Sequence, residues 1–469
     1  MEPQQLVTDD SSQGTDVTRA LCGFLASLRF DDIPRATIER AKDLLLDHVA
    51  VALLGTRECA TRAVRDTIAA WGGRPESSIY GSTQLVPRAH AAFINAAAAY
   101  SVSLDDMHNE SLSHPGSVVI PAAMSVAEAL NATPRQFLTA LVAGYEAQGR
   151  IGAAARNAIA RGFHPTGVAG TFGSGAAAAH VMQLDSAGFE STFGIALSTA
   201  SGSMQFSSDG ESTVKRLHAG LPAQGGLTAA LLASAGLRGP KAALHGQYGV
   251  ITLFGGAGDA TRLTRGMGET WEIDQINFKL HACCRWFHSS IDALLACRKQ
   301  RSFAPTDVER VLVRAPAAAL ENHMQYRPKS TPSAQYSLPY AMAAALLLDT
   351  KDPGAFAEQH LADPAVLALM DRVEAESDPS LDRWLPDRFP GLVRVHLKNG
   401  ELIEEFRQDS VGTPDFPVHR ADIESKFHAL VSGIATQEWR DRIADAIFRL
   451  EDGPSISGLT SLLRNLPAS

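Results

Sequence analysis

Over residues 31–55 (DDIPRATIERAKDLLLDHVAVALLG) the apolar positions Ile38, Ala41, Leu45, Val49 and Ala52 recur at intervals of three and four, which predicts a helix with one buried face. Asp31 and Asp32 precede it, Pro34 suits a first helical turn, and Gly55 is the expected stop. The first dozen or so residues before it are polar and aperiodic, and are expected to form a loose arm. Further helices are expected over residues 89–100, 122–130, 134–155, 189–201 and 219–235. All are rich in Ala with Gly and Ser, so their axes can approach closely with little aromatic filling.

The pattern changes after Trp271. VERVLVRAP (308–316) and LVRVHLKNGELIEEF (392–406) alternate apolar and polar positions as strands do, and Asn399–Gly400 in the second is the strongest hairpin signal in the chain. Between them, residues 337–350 and 364–373 read as helices, and from about Ala421 the chain turns helical again. The expected fold class is therefore mainly α: a large all-helical domain formed by both chain ends (1–274 and 412–469), with a smaller α+β lid domain inserted at 275–411. The cleft between the two is the natural place for a ligand.

Charge narrows the partners. With 42 Lys and Arg against 51 Asp and Glu the 469-residue chain carries a formal −9, which argues against a nucleic-acid binder working through a broad basic surface. The uncharged stretch from Thr166 to Leu184 is built of Gly, Ala, Ser and Thr, and mean hydropathy is −0.05, so no membrane span is expected. An acidic start where an export signal needs a basic one, and five cysteines of which two are adjacent, lead to the expectation of a reduced, cytoplasmic protein.

Four polar clusters stand out. The densest, LDDMHNESLSHPGSVVIPA (104–122), holds Asp105, Asp106, His108, Glu110 and His114. His108 and His114 are six apart, which does not put both on one helical face, and no HExxH or CxxC accompanies them. Acid–base chemistry therefore fits better than a metal, although a polar helix cap would also explain the run. His114 directly precedes Pro115–Gly116, which restrains its backbone, and the upstream acids would raise its pKa while burial would lower it. The second cluster places His164 before Pro165 at the mouth of a small-residue helix. Its Gly173-x-Gly175-x-x-Ala178 lacks the preceding strand and the following acid of a dinucleotide site. In the third, Lys215 and Arg216 precede His218 in an otherwise uncharged stretch, which suits either a solvated face or a carboxylate-holding site. The fourth gathers Lys279, His281, Arg285 and His288 at the domain junction; its adjacent cysteines, Cys283 and Cys284, read as small buried filling rather than nucleophiles.

Together these segments resemble the MmgE/PrpD family, whose members include 2-methylcitrate dehydratases, cis-aconitate decarboxylases and iminodisuccinate epimerases. The resemblance is carried by DDMHNESLSHPG (105–116), GFHPTGVAGTFGSGAAAA (162–179), VKRLHAGLPAQGG (214–226), KLHACCRWFHSSIDA (279–293) and SAQYSLPYAMAAAL (333–346), and the 31–55 run is similar to the family's start. It covers nearly the whole chain in order. It implies the same helical domain with an inserted lid, a homodimer and no cofactor. It further implies a pocket that collects Asp105 or Asp106, His108, His114, His164, Lys215, Lys279 and, from the lid, Tyr336. The DDxHxExxxH form is closer to cis-aconitate decarboxylases of the fungal type than to dedicated methylcitrate dehydratases.

The expected function is a cofactor-independent lyase acting on a small di- or tricarboxylic acid, of the 2-methylcitrate dehydratase or cis-aconitate decarboxylase type. His114 and His164 would exchange protons, and Asp105 or Asp106 would orient a histidine or act as base. Lys215 and Lys279 would grip carboxylates, with Arg216, His218 and Arg285 as further substrate contacts. The alternatives are an epimerase or isomerase of a dicarboxylate such as iminodisuccinate, and a non-catalytic helical protein that holds an anion.

Overall fold

The computed structural model describes residues 11–209 and 212–466. The arm expected at the start lies outside the described residues as far as residue 10; from Ser11 onward the chain is helix instead. Eight helices follow in order before residue 200: α1 (Ser11–Ser27), α2 (Arg35–Gly55), α3 (Cys59–Ala69), α4 (Arg88–Ala99), α5 (Gly116–Ala129), α6 (Pro134–Ala154), α7 (Pro165–Val181) and α8 (Ser186–Ala196); α9 (Leu217–Ser234) comes next. Their starts are written locally. Thr133 and Gln136 cap α6 reciprocally with Pro134 in its first turn, and the Asp185 carboxylate accepts from Gly188 N at 2.8 Å to open α8.

Small residues set the helix spacing. A Cβ on Gly226 of α9 would sit 2.1 Å from the Thr171 carbonyl oxygen of α7. The helix α2 ends at Gly55 as expected, and Gly55 shows the same physics: a Cβ there would lie 1.9 Å from the Ala98 carbonyl oxygen of α4. α5 starts six residues earlier than its apolar run suggested, because the Asp106 carboxylate accepts from Gly116 N at 2.8 Å and holds the first turn.

Two large apolar cores form, beside a small cluster around Ile68, Ile79 and Phe93. The first takes side chains from α1, α2 and α4 through α9 and also Ile423, Phe427, Trp439, Ile443 and Leu459 of the C-terminal helices Arg420–Val431, Gln437–Phe448 and Ser457–Arg464. The second is built from the helices His288–Gln300 and Leu338–Leu347 packed on a four-stranded sheet, with Phe287, Ile291, Val311, Val393, Tyr340 and Phe356 inside. The sheet runs in the order Val373–Ser377, Val308–Ala315, Gly391–Leu397, Leu402–Arg407. Its last two strands are the expected hairpin, turned by Gly400 at φ +88. The first was not anticipated: Val373–Ser377 pairs parallel to Val308–Ala315, and the helix expected up to residue 373 ends at Met370. Val51, Val102 and Leu104 of the helical part enter the second core, so the two cores abut beside residues 103–116.

Candidate active site

Between the cores lies a cavity of about 570 Å³. His114, His164 and Lys215 line it from the helical side; Lys279, Cys284, Arg285, His323 and Tyr336 line it from the other. The segment that carries His114 is shaped by two short ladders. Met107–His108 pair antiparallel with Ile276–Asn277, which draws the segment against the one bearing Lys279. His108 N then donates to Ser113 O at 2.9 Å, folding the loop back so that His114 comes to rest over Asp105 and Asp106. Ser103 and Leu112, both lining the cavity, sit at φ +57 and +51, a conformation that costs a side-chain-bearing residue of order 1–3 kcal/mol and clusters at functional sites.

His114 is held through one nitrogen. Its Nδ1 lies 2.9 Å from Asp105 Oδ2 and 2.7 Å from the Asp106 carbonyl oxygen, which leaves Nε2 with no protein partner among the described residues. Asp105 is also held by the Ser117 hydroxyl at 3.0 Å. Burial alone would raise its pKa, but His114, Lys279 and Lys215 outweigh it and keep Asp105 a carboxylate well below the usual range. For His114 burial dominates and lowers the pKa, with Asp105 pulling the other way. A neutral imidazole with Nδ1–H given to Asp105 exposes a lone pair at Nε2 to the cavity.

The adjacent aspartate faces away. Asp106 accepts from Gly116 N and, at 2.7 Å, from the Tyr145 hydroxyl, and burial raises it to about 7. It anchors the start of α5 rather than lining the cavity. His108 also turns away: Nε2 lies 3.0 Å from Glu272 Oε2 and Nδ1 2.9 Å from the Ser111 hydroxyl. Glu110, expected to act on His114, instead pairs with Arg262.

Two lysines reach the cavity almost entirely buried. Lys215 is 7% exposed and has no hydrogen-bond or carboxylate partner among the described residues; its ammonium lies between the rings of Tyr100 and Tyr336, 4.7 and 5.0 Å from their centroids. Lys279 donates to the Ser103 carbonyl. Burial lowers both to about 8, against the pull of Asp105. Arg285 gives Nη2 to Asp409 and keeps Nη1 unpartnered. His164 places Nε2 3.3 Å from the Tyr100 hydroxyl and shares Nδ1 with Nδ1 of His218 at 3.0 Å, so His218 stands behind it. Burial, then the positive charge shared around His218 and Lys215, keeps His164 well below its ordinary value. Arg216 lines a small adjoining recess of about 30 Å³ and donates to the Ser101 carbonyl at 3.3 Å. Of the eleven residues singled out in the sequence, the geometry collects His114, His164, Lys215, Lys279, Arg285 and Tyr336 on one cavity, backed by Asp105 and His218.

Sequence reading missed three contributors. Tyr100 contacts both Lys215 and His164, and His323 lines the cavity from a loop that carries no motif. Lys426, from a C-terminal helix, donates to Asp47 Oδ1 at 2.6 Å and to the carbonyls of Leu104 and Lys279 at 2.9 and 2.8 Å, tying together the backbones next to Asp105 and of Lys279 itself.

Comparison with known proteins matches residues 19–262 to the MmgE/PrpD N-terminal domain and residues 281–451 to the MmgE/PrpD C-terminal domain. The chain belongs to the MmgE/PrpD family. Among relatives within reach of this MmgE/PrpD chain, a cis-aconitate decarboxylase-like protein of Aspergillus oryzae, oryM, is 30% identical over 97% of this chain and 99% of its own length. The human cis-aconitate decarboxylase is 28% identical over 96% of this chain and 94% of its own, and that of Aspergillus terreus 26% over 97% of both. These relatives are lyases by name. Among the described residues of this family member, no helix is long and apolar enough to cross a membrane.

Proposed function

We propose that this protein is a cofactor-independent carboxy-lyase for a small tricarboxylate, cis-aconitate before others, acting as a homodimer with the sheet-bearing part, residues 275–411, as a lid over the cavity. The observation that carries the reading is Lys215, a buried ammonium with no carboxylate partner among the described residues, set beside Lys279 and Nη1 of Arg285, which has no partner among them either. Burying a cation without a partner costs several kcal/mol, and an anionic ligand recovers it. Together Lys215, Lys279 and Arg285 bring three cations to the cavity, a match for three carboxylates.

The chemistry follows from that fit. The bond from carbon to the departing carboxylate breaks and its electron pair becomes a new carbon–carbon double bond. The old π pair moves to the neighbouring carbon, which takes one proton. Lys215 and Lys279 hold the carboxylates that share the developing charge, and such preorganised donors contribute more in a dry site than in water. His114 Nε2, steadied through Asp105 and without a protein partner among the described residues, takes up a solvent proton and gives it to that carbon, a transfer worth about 10²–10⁴-fold. The relatives' names and the DDxHxExxxH form support decarboxylation over dehydration.

Proton NMR in D₂O with cis-aconitate, citrate, 2-methylcitrate, itaconate and iminodisuccinate tests this directly. The expected result is loss of cis-aconitate with formation of a methylene dicarboxylate carrying deuterium. Water loss from 2-methylcitrate would make the protein a dehydratase, and exchange confined to iminodisuccinate an epimerase. Binding without any turnover would make it an anion-binding protein.

A further inference from the structure

The cavity has a second titratable pair that the chemistry above does not use. Cys284 Sγ lies 4.0 Å from His323 Nε2, and both side chains line the cavity on the side opposite the helical wall that carries His114. The pair is held in place. His323 Nδ1 lies 3.1 Å from the Ala319 carbonyl oxygen, which fixes the tautomer that turns Nε2 toward sulfur. Its ring stands edge-on to Phe287 and stacks with Tyr336, with centroids 5.3 and 5.9 Å apart. The Cys284 amide donates to the Gln335 carbonyl at 2.8 Å, so the residue is tied to the segment that bears Tyr336. The neighbouring Cys283 provides the contrast: fully buried in the second core, its thiol is pushed up by burial and stays inert. The ammonium of Lys215, without a hydrogen-bond partner among the described residues, opens on the same cavity, so an anion drawn there comes within reach of both walls.

We propose that Cys284 and His323 form a second acid–base pair, and that with it the protein exchanges carbon-bound protons of a bound unsaturated dicarboxylate, an activity separate from decarboxylation. The inference rests on the cavity being the carboxylate site. The step is balanced within the site. Cys284 thiolate takes a proton from the carbon between a carboxylate and a double bond, the C–H pair spreads into the carboxylate and the alkene, and an S–H bond forms. His323 first gives its own Nε2 proton to solvent, then takes the proton from sulfur and passes it on in turn, and a solvent proton returns by the same route to the carbon. Nothing is oxidised, reduced or released. The electrostatics agree: burial alone would raise the Cys284 thiol, but His323 and Lys279 bring it below its ordinary value, and the facing thiolate raises His323. Arg285 on the same element adds positive charge nearby, while Glu321, beside His323, favours the imidazolium.

The test incubates the wild-type protein with itaconate in D₂O and follows the allylic methylene protons by NMR, alongside Cys284→Ser and His323→Gln. Wild type is expected to replace both methylene protons, and each variant to slow the exchange by about 10²-fold or more. A second measurement needs no turnover: thiolate absorbance near 240 nm, titrated in wild type minus Cys284→Ser, should report one thiolate persisting below the ordinary thiol range. Exchange at the wild-type rate in Cys284→Ser, or no such thiolate, would overturn the inference. A wild type that decarboxylates cis-aconitate yet leaves itaconate unexchanged overturns this inference alone. One that does neither overturns the proposed function with it.

Discussion

Replacing Lys215 with methionine should make the protein more stable and nearly inactive at once. The side chain is 7% exposed, and burial lowers its pKa from an ordinary 10.5 to about 8. That difference corresponds to about 3 kcal/mol by which the charged form is disfavoured in the folded state near neutrality. Methionine keeps the length of the stem and the contact with the rings of Tyr100 and Tyr336, but loses two cation–π contacts worth about 0.5–1 kcal/mol each. The net gain is about 1–2 kcal/mol at pH 7. The sign with pH is fixed as well. Since the folded pKa lies below the unfolded one, the unfolded chain binds more protons between about pH 8 and 10.5, so wild-type stability rises through that window. Lys279, lowered to about 8 by the same cause, contributes a like rise that the variant retains. Denaturant melts at pH 7 and pH 10 should therefore show a variant advantage that shrinks on going alkaline, while kcat/KM on the carboxylate substrate falls by about 10²-fold or more. A less stable variant with near-normal kcat/KM would refute the reasoning and make Lys215 a structural residue.

Asp105→Asn should lower kcat by about 10²-fold or more, as loss of the carboxylate that holds a catalytic imidazole does, and should move the alkaline limb of the pH profile to lower pH, because Asp105 raises His114, the proton donor; an unmoved limb would count against their pairing. Lys426→Met should destabilise the protein by about 3–5 kcal/mol by leaving Asp47 buried and unpaired, and should lower kcat in the surviving folded fraction because the Leu104 and Lys279 carbonyls lose a shared donor; denaturant melts and rates normalised to folded protein check both. Activity should survive dialysis against EDTA, since Glu272 and Ser111 occupy both nitrogens of His108 and Asp105 occupies Nδ1 of His114; loss on chelation with recovery on adding a divalent ion would contradict the acid–base account.

Where a signal is local, the chain could be read. The Thr133–Gln136 capping box, the Asn399–Gly400 turn and the three-four spacing of α2 each act within a few residues, and each element formed where they point. Val373–Ser377 escaped because its alternation is short and weak, with only Val373 buried and Ala375 half-buried, and because its pairing with Val308–Ala315 lies some sixty residues away in sequence. The site divides in the same way. Residue types betrayed the segments, but not which way each side chain points. Asp105 and Asp106 are neighbours at a bend yet face different ways, one to His114 and one to Tyr145. The ladder with Ile276–Asn277 turns His108 outward, a long-range pairing that no spacing within 104–122 records. Cys284 looked like filling because its pairing with His323 bridges thirty-nine residues through a loop without a pattern.

The account stands most directly on His114. Its Nδ1 is committed to Asp105 and Nε2 is free, so His114→Gln preserves size and a hydrogen bond but abolishes the titrating atom. The decisive measurement is the single-turnover rate of this variant against wild type on cis-aconitate in D₂O, with substrate binding read in parallel by calorimetry. The account predicts a folded variant that binds within a few-fold of wild type yet turns over at least about 10²-fold more slowly. A folded variant converting cis-aconitate at the wild-type rate would contradict it.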